Sequence, residues 1–111
     1  MTESFQFTVE ERHPALAGHF PGRPVVPGVI VLDHVLTNVT RNGNRQVAAL
    51  QRVKFVAVLL PRETAHVSLD AREGRVRFAV EVVRQGARVT LATGALMLRP
   101  ATAVDSLAHA T

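Results

Sequence analysis

Two titratable side chains stand where nothing nearby in the chain calls for them. His19 lies within Gly18-His19-Phe20-Pro21-Gly22-Arg23-Pro24-Val25-Val26-Pro27-Gly28, and Asp33 interrupts the apolar run Val29-Ile30-Val31-Leu32-Asp33-His34-Val35-Leu36 that follows. The chemistry open to an imidazole and a carboxyl is proton transfer, provided their surroundings tune them to it. The other reading is structural: a satisfied histidine, and an acid near a helix start that favours negative charge. A carboxylate inside an apolar run is costly to desolvate, so Asp33 is expected to be paired, hydrogen-bonded or held with a raised pKa.

The elements that would position these groups can be read from the same stretch. Three prolines and three glycines in the eleven residues 18–28 exclude a helix or a central strand and make a shaped loop. The next Pro or Gly is Gly43, so a helix is expected from about Gly28 to Thr40, stopped by Arg41-Asn42-Gly43-Asn44. With apolar residues at almost every position to Leu36, that helix should be buried. At 100° per residue Asp33 falls about 40° round from Val29, at the edge of the apolar arc.

His-Phe-Pro-Gly-x-Pro-x-x-Pro-Gly-Val, filled by His19, Phe20, Pro21, Gly22, Pro24, Pro27, Gly28 and Val29, resembles the signature of the hot-dog-fold 3-hydroxyacyl-acyl-carrier-protein dehydratases, with Asp33 at the acid position. The resemblance implies that His19 takes a proton from C2 of a 3-hydroxyacyl thioester while Asp33 assists departure of the C3 hydroxyl as water. It implies a Gly28 N–H that polarises the thioester carbonyl, and a substrate tunnel walled by Phe20, Pro21, Pro27 and Val29. It implies a homodimer with sites shared between chains, no cofactor and no metal. An acyl-thioesterase of the same fold and a non-catalytic acyl-binding or assembly protein are the alternatives. Many relatives carry Glu at the acid position, and their Pro-Gly-Asp turn after the middle strand is Pro61-Arg62-Glu63 here. His34, outside the motif, reads as surface or packing.

The rest of the chain fits an α+β domain over residues 1–99, an antiparallel sheet wrapped around one long helix. Phe5 to Val9 alternates as a half-buried strand, ended by Glu10-Glu11-Arg12-His13-Pro14. Four strand-like segments follow the helix: Val47 to Val56, Thr64 to Asp70, Arg75 to Val83 and Arg88 to Leu98. Val47, Ala49, Val53 and Phe55 share one parity, and His66, Ser68 and Asp70 form the solvent side of the next segment. Glu73-Gly74 and Gln85-Gly86 mark turns, the second expected to carry a loop longer than the tightest hairpin. Residues 100–111 read as a mobile tail.

Composition narrows the function classes. The 111 residues are 47% hydrophobic and 20% charged, as in one globular domain. Cysteine is absent, which excludes a disulfide framework and a thiol nucleophile and fits a cytoplasmic setting. The N-terminus lacks a secretory pattern and no apolar run is long enough to span a membrane. Net charge is +4, with Lys54 the one lysine among 13 cations. Arg72, Arg75, Arg77, Arg84 and Arg88 cluster around the two turns, either as a solvated rim or as a docking patch for an acidic acyl carrier protein bearing a phosphopantetheine arm. Nucleic-acid binding is disfavoured, since the only aromatics are five Phe expected to be buried.

Replacing His19 by Ala should leave folding nearly intact, because the residue sits in a loop, yet lower dehydration about 10²–10⁴-fold. Turnover of the purified variant at the parental rate would remove His19 from the chemistry.

Overall fold

A computed structural model describes residues 2–10, 25–43 and 46–99. The elements run β1 (Thr2–Thr8), α1 (Gly28–Gly43), β2 (Val47–Phe55), β3 (Thr64–Arg72), β4 (Arg75–Arg84) and β5 (Ala87–Leu98). The strands form one antiparallel sheet in the order β1-β3-β4-β5-β2. This is the α+β, hot-dog arrangement that the motif implied.

Alternation explains β3 and β4. Ala65, Val67 and Leu69 of β3 and Val76, Phe78, Val80 and Val82 of β4 are buried, while His66, Ser68 and Arg77 between them are exposed. The helix supplies the opposing layer with Val31, Val35 and Val39, each buried and joined to the same apolar core. Spacing of four residues keeps these valines on one stripe. The helix is therefore buried on one side only, and it runs three residues beyond Thr40 to Gly43. His34 packs, as its position suggested: its ring stacks on Phe7 of β1 with centroids 4.1 Å apart and an interplanar angle of 6°.

Two local expectations are corrected. Arg84 pairs with Ala87, so the β4–β5 loop is the two-residue Gln85-Gly86, with φ of 53° and 78°. Two positive φ values are the type I′ signature, the tightest hairpin, whose twist matches that of its strands. In β2, register shifts between Val47 and Ala49 and between Gln51 and Lys54 break the period of two. Leu50 thereby lies opposite Leu96 and Phe55 opposite Ala92, while Ala49 leaves the parity expected for it. Arg52, at φ 52°, accommodates the second shift.

Gly94 of β5 is required by a close approach. A Cβ there would stand 2.8 Å from the Phe78 ring and 3.1 Å from Val53 Cα. Phe78 is 4% exposed and the other neighbour is backbone, so neither yields easily. Gly94→Ala should cost about 1–3 kcal/mol in urea denaturation through overpacking, whereas a stability equal to the parent's would show that β2 can move away.

Candidate active site

The start of α1 is fixed by a short strap. Val26 makes an isolated antiparallel bridge with Leu59, and its N–H donates to the Leu59 carbonyl at 2.8 Å. Both residues are buried. The Pro27 carbonyl then accepts from the N–H of Ile30 at 2.9 Å and of Val31 at 3.4 Å, which opens the helix. A helix begun in this way leaves its first amides, Gly28 included, without an intrahelical acceptor, and gathers positive potential around them.

Those amides border an apolar pocket of about 370 Å³ lined by Val26, Gly28, Val29, Phe55, Leu59 and Ala92, among others. Phe55 sits against the glycine: a Cβ on Gly28 would lie 2.8 Å from the ring's Cε1. Glycine thus leaves room for an aromatic wall at the helix start. Phe55 is 53% exposed, against the expectation that every Phe is buried. In sequence Phe55 reads only as a member of the β2 parity, because the register shift before it carries no Gly or Pro signal.

Asp33 is exposed, contrary to the expectation of a paired or desolvated carboxyl. The reason is geometric. The core-facing stripe is Val31, Val35 and Val39, and Asp33 lies about 200° round the helix from Val31. Val29, 69% exposed, lies one turn before Asp33 on the same outward face, next to the pocket. Pro27 is half-buried beside the strap. His19, Phe20 and Pro21 lie outside the described residues.

The arginines do not form one patch. The two turns sit at opposite ends of β4, so Arg75 and Arg84 are about 30 Å apart along the strand. Arg88 lies 3.6 Å from the Glu81 carboxylate and Arg72 3.4 Å from that of Asp70. At the β3–β4 end, Arg75 and Arg77 line a groove together with Arg52 and Lys54, cations of β2 that sequence order had set apart.

Arg84 has a different task. Its Nε donates to Glu63 Oε2 at 2.8 Å and its Nη2 to Glu63 Oε1 at 2.7 Å, while Nη2 also donates to the Val58 carbonyl at 2.6 Å. Glu63 Oε1 in turn accepts the Leu60 N–H at 2.8 Å. The hydrogen bonds from Arg84 hold the Glu63 carboxyl below its ordinary range, and the carboxylate holds Arg84 above its own. Glu63 closes the turn that had replaced Pro-Gly-Asp. Its N–H donates to the Leu60 carbonyl at 3.2 Å, with Pro61 second and Arg62 third at φ 71°. Arg62 thus adopts the left-handed conformation for which glycine is the usual choice. Among the described residues no cluster of three or more His, Cys, Asp or Glu could hold a metal, and no helix is long and apolar enough to cross a membrane.

Comparison with known proteins agrees with this frame. The family model for ApeI-like proteins, described as ApeI dehydratase, matches residues 2–94. A 3-hydroxyacyl-[acyl-carrier-protein] dehydratase FabZ from Bartonella quintana (strain Toulouse) is 30% identical over 104 residues, covering 82% of this chain and 66% of that protein. One from Rickettsia bellii (strain OSU 85-389) is 34% identical over 82 residues, covering 62% of this chain and 54% of its own length. The chain thus spans less than two thirds of these curated relatives. Among solved structures, the dehydratase heterocomplex ApeI:P from Xenorhabdus doucetiae superposes with a TM-score of 0.75 at 21% identity, covering 89% of this chain and 88% of that one. An uncharacterized protein from Erwinia carotovora subsp. atroseptica gives 0.77 at 24%, covering 89% and 83%. At these identities the two structures establish the fold.

The contact between Gly28 and Phe55 is open to a double-mutant cycle. Gly28→Ala should cost about 1 kcal/mol with Phe55 present, the low end for overpacking because the ring can swing outward, and almost nothing in a Phe55→Ala background. Additive losses in urea denaturation would mean that the ring does not bear on the helix start.

Proposed function

The chain belongs to the ApeI-like dehydratase family, and from that premise we propose that it removes water from a 3-hydroxyacyl thioester to leave the trans-2-enoyl thioester, in fatty-acid-like or polyketide-like synthesis. His19 takes the C2 proton. The electron pair passes to the thioester carbonyl, whose developing charge is met by the Gly28 N–H at the positive end of α1. As the pair returns to form the C2–C3 double bond, Asp33 protonates the departing C3 hydroxyl, which leaves as water.

One observation carries this reading: Asp33 and Val29 share the outward face of α1, beside an apolar pocket that begins at Gly28. General-acid work gains from a site closed to water, and on this chain alone Asp33 is open to solvent. Val29, Phe55, Val56, Val58 and Leu60 make the neighbouring surface apolar and at least 40% exposed. A second copy seated on this surface would desolvate Asp33 and bring up its own His19, giving a homodimer with shared sites. The structure from Xenorhabdus is described as a heterocomplex, so a related chain is the other occupant to try.

The FabZ relatives are named for acyl-carrier-protein substrates. An acidic carrier is the partner in this reading, and Arg72, Arg75 and Arg77 at one end of β4, with Arg52 and Lys54 beside them, are its docking cations. Arg84, engaged with Glu63, is set aside for another role, and Arg88 stands apart from this group. Phe20, Pro21, Pro27 and Val29 remain the tunnel wall, and the cytoplasmic setting belongs to the same reading.

Mass spectrometry of a carrier loaded with a 3-hydroxyacyl chain tests the reaction. Loss of one water with the thioester intact is expected; release of free carrier thiol would make the protein a thioesterase, and an unchanged substrate a non-catalytic binder. Sharing of the site is tested with His19→Ala and Asp33→Asn chains, each inactive alone, refolded together. Half the dimers are then mixed and one of their two sites is intact, so about a quarter of parental activity should return. No return despite proven mixed dimers would place both groups in one chain's site or remove one of them.

A further inference from the structure

We propose that Glu63 and Arg84 are positioning residues for the amide end of α1, acting through the two peptide units that flank Leu59. Leu59 receives the strap: its carbonyl takes the Val26 N–H at 2.8 Å, two residues before Gly28. The residues on either side are held by the ion pair. The Val58 carbonyl accepts Arg84 Nη2 at 2.6 Å, and the Leu60 N–H donates to Glu63 Oε1 at 2.8 Å. The pair itself is bidentate, at 2.7 and 2.8 Å, with side chains 29% and 20% exposed.

The need for such a clamp follows from where the segment lies. Residues 56–63 connect β2 to β3; the Val56 and Ala57 N–H groups reach the Leu91 carbonyl of β5 near one end and the Arg62 N–H reaches the Val9 carbonyl near the other, while the stretch between is bridged at Leu59 alone. The chain on the other side, Val25–Pro27, is likewise outside any sheet or helix. A lone bridge between two irregular segments fixes distance poorly unless one of them is rigid. Arg84, at the end of the central strand β4, is anchored in the sheet, and through it the connection borrows the sheet's rigidity. The planar guanidinium suits this task, because it can serve a carboxylate with two donors while also reaching a backbone carbonyl. An arrangement of this kind holds both charged groups in one geometry and transmits it to Val26, and so to the Gly28 N–H. Its value to catalysis rests on the reaction proposed above; its value to the strap does not.

Hydrogen exchange of the assembled protein separates the two. In Arg84→Met, or in Glu63→Gln should the first variant fold poorly, the Val26 amide should exchange at least about tenfold faster, while the Val67 and Val80 amides of the sheet keep parental rates. With the substrate, kcat should fall about 10- to 100-fold at nearly unchanged KM, since the amide is displaced and the apolar binding surface is kept. The reversed pair, Glu63→Arg with Arg84→Glu, should restore neither, because it offers no acceptor to Leu60 N–H and no donor to the Val58 carbonyl. Parental exchange at Val26, equal acceleration at Val26 and Val67, parental kcat despite a loosened Val26, or rescue by the reversed pair would each overturn the proposal. A parental protein that performs no dehydration would remove the reaction, and the exchange rates would still decide the strap.

Discussion

Three valines at positions 31, 35 and 39, packed against the sheet, set the orientation of everything else on the helix. Once that stripe is buried, Val29 and Asp33, each about 200° round the helix from Val31, are committed to the outward face. Each buried valine contributes on the order of 1.5–3 kcal/mol relative to exposure, far more than the cost of leaving one acid in water. The helix therefore cannot rotate to hide Asp33 within its own chain. Any cover over Asp33 must come from whatever seats on the outward face.

That requirement bears on β2, the edge strand after the helix. Both of its faces are largely exposed, and an edge strand with unpaired backbone groups invites pairing. Its two register shifts and its cations Arg52 and Lys54 are features that discourage indiscriminate edge association. The exposed apolar residues Phe55, Val56, Val58 and Leu60 follow directly. A surface that is guarded along the strand and apolar just beyond it suits one specific neighbour.

How much of this could be read in the sequence depended on the range of the interaction. Period-two alternation in β3 and β4 is written residue by residue, so their faces and His66 were placed correctly. The helix start was marked by the Pro27-Gly28 pair at its head. Failures came where tertiary contact overrides local pattern. Bulges in β2 broke the parity of Val47, Ala49, Val53 and Phe55. Arginines adjacent in sequence separated because a ten-residue strand lies between the turns, while Arg52 and Lys54 joined Arg75 and Arg77 through sheet order alone. The Glu63–Arg84 pair spans 21 positions, and its one local trace was the replacement of a Pro-Gly-Asp turn by Pro61-Arg62-Glu63.

The same replacement changes how the helix start should respond to acid. Hydrogen bonds from Arg84 hold the folded-state carboxyl of Glu63 below its ordinary range. A carboxyl depressed by folding stabilises the folded state fully above its unfolded value, and that contribution fades as pH falls through the lower folded value. The window is thus on the acid side of ordinary glutamate titration, well away from neutral pH. The clamp on residues 58–60 is accordingly constant across the neutral range, and the helix start with it. A neutral hydrogen-bonding pair in place of these charges would hold through that acid window but more weakly, since bonds between ionised partners are about twice as strong. The charged form therefore gives the irregular segment behind Gly28 its firmest support in the neutral range, where the Glu63 carboxylate is ionised.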